Sequence, residues 1–203
     1  MKTRKPDRRV ARTRELVLDA FLGLMVERGY ETMTVQDLLD RSGVGRATFY
    51  AHFKGKEDLL ASSVRRLQGG LREAWQQTAA GHGRSERPLG FARAFFHHVD
   101  GHRRIYDLMI GRPSEVTIDR YMRRMLGELI REDLLGRPGA RRGARGLDVA
   151  VQFVTGALWS LVSWWIVTRA RLSADEMHAQ FERLALQGLD GALGRTPTPA
   201  GRA

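Results

Sequence analysis

The sequence predicts an all-α chain, and three observations carry that expectation. Apolar residues recur at helical spacing, as in Val17, Ala20, Phe21, Leu24 and Met25, through most of the 203 residues. No convincing alternation of apolar and polar residues marks a half-buried strand. Hydroxyl residues followed three positions later by an acid, Thr34 with Asp37 and Ser173 with Glu176, stand where helical patterns begin.

The elements follow in order. A first helix is expected from about Val10 to Arg28, with Gly29 as its C-terminal cap. Thr34 caps a short second helix with Val35, Leu38 and Leu39 on one face, and Gly43 ends it. The run GVGRATFYAHFKGKEDLL then supplies a turn, with apolar Val44, and a third short helix. Phe49 and Phe53 lie one turn apart and anchor that helix, while Ala47 and Ala51 are small enough for close approach to a neighbour. Arg46 and Tyr50 form another one-turn pair, with Thr48 and His52 close by. This is what a recognition helix needs: long donors for base edges and hydroxyls for phosphates.

A longer helix is expected from Lys56 through Leu59, Leu60, Val64, Leu67, Leu71 and Trp75, until GHGRSERP breaks the pattern. Further helical segments are expected at about 88–100, 102–111 and 114–135, then a flexible arginine-rich loop at 136–146. An apolar helix at about 149–168 and a last helix from Ser173 to about Leu193 complete the set. The resulting organisation is a basic arm (1–9), a helix-turn-helix domain (10–55), a larger helical domain (56–193) and a disordered tail (194–203).

Composition narrows the function. The formal net charge of +11 points to a polyanionic partner, with nucleic acid or an anionic membrane surface first in line. The arm carrying Lys2, Arg4, Lys5, Arg8, Arg9, Arg12 and Arg14 suits a phosphate backbone or a minor groove. With no cysteine, disulfides, zinc–thiolate sites and thiol nucleophiles are excluded. No secretory signal is visible, so a cytoplasmic location is expected. Val149 to Thr168 is uncharged and long enough to span a bilayer, but Gln152, Thr155, Ser160 and Ser163 interrupt it, and the expectation is a core or dimer helix.

No Walker loop, nucleophile elbow or HExxH is present, so no enzyme and no cofactor are expected. His98 and His102, four apart around Asp100, invite a metal reading, but Gly101 weakens that helix and no second cluster supplies the missing ligands, so no metal is expected. The aromatic and methionine content of the central helices suggests a ligand cavity instead, with Phe95, His98, Tyr106, Met109, Met125, Phe153, Trp159 and Trp164 as lining candidates. Such a lining favours an apolar or aromatic effector, with His97, His98 and Tyr106 as polar anchors.

The block TVQDLLDRSGVGRATFYAHFKGKEDLL closely resembles the DNA-binding domain of the TetR family of transcriptional regulators, over about residues 10 to 60. The arrangement G-V-x-x-x-T-F-Y-x-H-F-x-x-K-E-D-L-L is what makes the resemblance specific. The rest resembles the family in architecture, and FVTGALWSLVSWWIV with LSADEMHAQFERLALQGL is similar to a C-terminal helix pair that dimerises in one subgroup. The resemblance implies an all-α homodimer joined through helices 147–170 and 173–193, a double-stranded DNA operator as partner, and a small-molecule effector. By motif position it implies phosphate contacts from Thr34, Tyr50 and Lys56, and base contacts from Arg46, Thr48 and Gln36, with Gly45, Ala47 and His52 on the same segment. Gly45 and Ala51 stand where many relatives carry larger side chains, which puts more of the specificity on Arg46. The function expected is a sequence-specific regulator, a repressor by family habit, released from a palindromic operator by a small apolar or aromatic molecule. The alternative is a dimeric DNA-binding protein whose C-terminal domain only dimerises or docks a protein.

Overall fold

The computed structural model describes residues 8–80, 89–110, 115–136 and 145–192, which form helices without a strand. They are α1 (Arg8–Arg28), α2 (Val35–Ser42), α3 (Arg46–His52), α4 (Lys56–Ala80), α5 (Phe91–Gly101), α6 (Arg103–Met109), α7 (Glu115–Leu135), α8 (Arg145–Val167) and α9 (Ala174–Ala192). The all-α expectation holds, and every expected helix is present with ends moved by a few residues. The expected loop at 136–146, apart from its two ends, and the tail lie outside the described residues.

Two compact units divide the chain. The first joins Met1–Leu67 with Arg104–Tyr121, and the second joins Gln68–Arg103 with Met122–Ala203. The division falls inside α4 and α7 and after Arg103, the first residue of α6, so the first unit takes in the rest of α6. Glu57 at the start of α4 accepts hydrogen bonds from Arg120 (2.9 Å) and Tyr121 (3.2 Å), contacts far apart in sequence that periodicity cannot reveal.

In the first unit the apolar face of α1, with Val17, Phe21, Leu24 and Met25 almost wholly buried, packs on α2. Gly29, at φ +80°, closes α1 with its N–H on the Met25 carbonyl, a backbone conformation that favours glycine. α1 begins at Arg8, so Arg8, Arg9, Arg12 and Arg14 belong to its first two turns, and the part of the arm with Lys2, Arg4 and Lys5 lies outside the described residues.

The second unit is built around aromatic edge-to-face contacts. Phe96 meets Trp165 and Phe181, each at 6.0 Å between ring centroids, and Trp75 meets Phe91 at 6.4 Å. α5 and α8 pack on α9 and on each other. The capping box at Ser173 is complete: its hydroxyl accepts from the Glu176 N–H, and Glu176 accepts in return from the Ser173 N–H and hydroxyl. Among the described residues one helix, Gly146–Val167, is long and apolar enough to cross a membrane, and half of that stretch is buried in this unit.

Candidate nucleic-acid interface

The interface grows out of the α2–turn–α3 segment. At α2 the Thr34 hydroxyl accepts from the Asp37 N–H at 3.2 Å, and Asp37 accepts from the Thr34 N–H at 2.9 Å and from its hydroxyl at 2.6 Å. These bonds, Thr34's hydroxyl foremost and Arg28 beside it, hold the Asp37 carboxyl below the usual carboxylate range. Gly43, at φ +66°, ends α2 with its N–H on the Leu39 carbonyl. The chain reverses and α3 starts at Gly45, which has no side-chain cap.

Phe49 and Phe53 are buried and lie 5.8 Å apart between ring centroids, fixing α3 to the domain as their spacing suggested. With Phe49 turned inward, Arg46, Ala47, Thr48, Tyr50 and Ala51 are all exposed. The Arg46 Nη2 donates to Gln36 Oε1 at 2.7 Å, and the Gln36 Nε2 donates to Asp40 Oδ1 at 2.8 Å. Asp40 thus fixes which way the Gln36 amide faces, and that amide in turn holds the Arg46 guanidinium at the exposed edge. Sequence reasoning missed Asp40, although its i, i+4 spacing from Gln36 on α2 is a visible signal.

Of the nine expected DNA-contacting residues, Gln36, Gly45, Arg46, Ala47, Thr48 and Tyr50 come together on this exposed surface. The other three are engaged within the domain. Thr34 gives its hydroxyl proton to Asp37. His52 is half-buried and its carbonyl accepts from Arg14 at 3.3 Å, while the Arg14 guanidinium covers the Phe53 ring at 4.7 Å. Lys56 donates to three carbonyls, those of Tyr30 (3.0 Å), Glu31 (3.2 Å) and Met33 (3.2 Å), and its ammonium lies 4.7 Å from the centre of the Tyr30 ring. Arg14 therefore ties α1 to α3, and Lys56 ties α4 to the connection between α1 and α2.

The residues expected to line an effector cavity are divided between the two units. Tyr106 and Met109 belong to the first unit, whereas the other six residues belong to the second. Phe95, Met125 and Trp159 are buried in the core of the second unit, but Phe153 and Trp164 are 57% and 47% exposed on α8. The reason is that an all-round apolar helix does not declare which side faces inward. His98 is half-buried with its ring stacked 4.3 Å from that of His102, whose Nδ1 is 2.8 Å from the His98 carbonyl. Burial, with His102 beside it, pushes His98 down to about 4. Among the described residues no three His, Asp or Glu side chains gather as metal ligands.

The sequence model for bacterial regulatory proteins of the tetR family matches residues 17–62, from the middle of α1 into α4. The HTH-type transcriptional repressor KstR2 of Mycolicibacterium smegmatis is 25% identical over 198 residues, covering 91% of this chain and 94% of that protein. The HTH-type transcriptional regulator YxbF of Bacillus subtilis is 42% identical over 66 residues, a match that spans 32% of this chain and only 17% of that protein. In fold the chain is similar to FadR of Thermus thermophilus, a TetR-family transcriptional repressor solved in complex with lauroyl-CoA, with a TM-score of 0.63, 22% identity, and coverage of 94% and 100%. The helix-turn-helix match and these likenesses agree: residues 17–62 match the DNA-binding segment of the tetR family of bacterial regulatory proteins, and the chain as a whole is similar in fold to TetR-family regulators.

Proposed function

We propose that this regulator is a sequence-specific repressor that binds a palindromic operator as a homodimer and is released by a small molecule. The observation that carries the reading is the exposed α3 edge, where Asp40 and Gln36 hold Arg46 at the surface beside Thr48 and Tyr50. A guanidinium held there suits the O6/N7 edge of guanine, a pairing worth about 1–3 kcal/mol of discrimination. The start of α1 supports a polyanionic partner: its first turn has no acid, and Arg8 and Arg12 add positive charge at the end of the helix where the dipole already favours an anion.

Dimerisation through α8 and α9 is supported by apolar side chains left at the surface of the second unit. Val149, Phe153, Trp164 and Val167 lie on one face of α8, and Leu184 on α9 is 58% exposed. Repression is supported by the likeness to the repressor KstR2, and a small-molecule effector by the ligand bound to FadR. The reading places the protein in the cytoplasm, with its operator. A second reading, dimerisation without an effector, is favoured by the burial of Phe95, Met125 and Trp159 in the core of the second unit.

Selection from random duplex DNA at two salt concentrations tests the DNA half. Enrichment of a palindrome with half-sites about 34–36 Å apart supports it. Affinity without enrichment, falling steeply with salt, would mean that the +11 charge acts alone. An effector screen on that operator separates the two readings.

A further inference from the structure

A groove of about 250 Å³ opens between α7 and α8 in the second unit. Its charge is unlike that of the apolar pocket expected from the sequence. Arg123, Arg124 and Arg131 line it, against a single acid, Glu128. Arg124 donates to Glu128 at 3.1 Å, and Arg131 to Asp148, outside the groove, at 2.7 Å. Each bond uses one N–H of a guanidinium that has five, so both side chains are oriented while keeping donors for another acceptor.

The floor of the groove holds an unusual group. Thr155 is 5% exposed and its hydroxyl has no hydrogen-bond partner. Burying a hydroxyl unpaired is costly, and most buried hydroxyls avoid it. Opposite stands Gly127, inside the 21-residue helix α7, where glycine is less favourable than alanine. A Cβ at position 127 would meet the Thr155 hydroxyl at 3.4 Å and Val151 Cγ1 at 3.7 Å. With no side chain at position 127, nothing from that residue crowds the unpaired hydroxyl.

We infer that this groove is a binding site for an oxyanion, a phosphate or carboxylate group, received by the arginine side chains and by the hydroxyl of Thr155. Its volume lies below the roughly 300–1,000 Å³ of a site for a drug-sized ligand, so it takes the charged end of a molecule or a small acid. The inference names the charge of the ligand in the effector reading, and only its regulatory consequence rests on that reading.

The test titrates the full-length protein with inorganic phosphate and separately with acetate, by calorimetry at constant ionic strength set with sodium chloride. Saturable binding of one anion per chain is expected, and the preferred anion distinguishes the two sources. Arg131→Gln and Thr155→Val should each weaken binding roughly tenfold, as for loss of one hydrogen bond to a charged group. Gly127→Ala, which keeps every charge, should weaken binding at least as much. In chloride alone, Thr155→Val should melt no lower than the wild type, because the hydroxyl it removes bonds to nothing. Equal anion binding by the wild type, Gly127→Ala and Thr155→Val would overturn the site and leave only the general positive charge. A lower melting temperature of Thr155→Val in chloride would also overturn it, by giving the hydroxyl a structural role. Because binding is read without DNA, an operator complex insensitive to the anion would count against the effector reading while the site stands.

Discussion

Lys56 offers the sharpest separation of a DNA contact from a structural one. It is the first residue of α4, the end of a helix where a cation opposes the dipole. Its ammonium is offset there by the carbonyls of Tyr30, Glu31 and Met33 and by the face of the Tyr30 ring. Lys56→Met keeps the apolar stem and removes all four contacts. A hydrogen bond involving a charged group contributes about 1.5–3 kcal/mol, and a partly exposed cation–π contact adds about 0.5–1. The three carbonyls share one half-exposed ammonium and regain some water when it is lost, so the expected cost is about 2–4 kcal/mol. All four tryptophans, Trp75, Trp159, Trp164 and Trp165, lie in the second unit, so their fluorescence does not report this loss. Amide hydrogen exchange read by mass spectrometry does, since local opening free energies appear directly in protection. Peptides covering Tyr30 to Ser42 should exchange roughly 30- to 700-fold faster, the stated cost converted at 1.4 kcal/mol per tenfold. Exchange changed by less than about threefold, together with an equal loss of affinity for every DNA sequence, would refute the clamp and return Lys56 to phosphate binding.

The other outcomes are briefer. Arg46→Ala should lose about 1–3 kcal/mol of discrimination at one base position in selected sequences while random-DNA affinity falls little; equal losses on both would contradict base readout. Asp37→Asn tests the capping box through pH. Because the folded carboxyl lies below the unfolded value of 3.8, its contribution is complete above that value and is lost as pH falls through the folded one. The stability gap between variant and wild type should therefore close in acid, and a gap unchanged at about pH 2 would rule the charge out as its origin. Phe153→Asp, on a side chain already 57% exposed, should give a folded monomer in sedimentation analysis; an intact dimer would move the interface elsewhere.

Much of this was legible in the sequence for identifiable reasons. The capping boxes at Thr34 and Ser173 are local, three residues wide, and the structure forms both. The inward turn of Phe49 and Phe53 followed from one-turn spacing, and the exposure of Arg46, Thr48 and Tyr50 followed from theirs. What was hidden depends on contacts between distant segments. Nothing near Lys56 in the chain announces that carbonyls 23 to 26 residues earlier receive its ammonium. The α7–α8 groove pairs Gly127 with Thr155, and neither residue is conspicuous alone. For Phe153 and Trp164 the sequence conveys apolarity without direction, because α8 is apolar nearly all round.

Gly45 gives the recognition helix a freedom that bears on how operators diverge. Its backbone, at φ −64° and ψ 148°, suits any L-residue, and a Cβ built there meets nothing within 4 Å. Serine or asparagine at this position would supply the side-chain cap that α3 lacks, so new base-reading groups enter with no penalty to folding. Ala47 and Ala51 are likewise exposed, while the anchors Phe49 and Phe53 remain sealed beneath. On the proposed reading, stability and sequence preference are thus encoded on opposite sides of a seven-residue helix. A lineage can rewrite its target promoter by single substitutions on one side while the other keeps the domain intact.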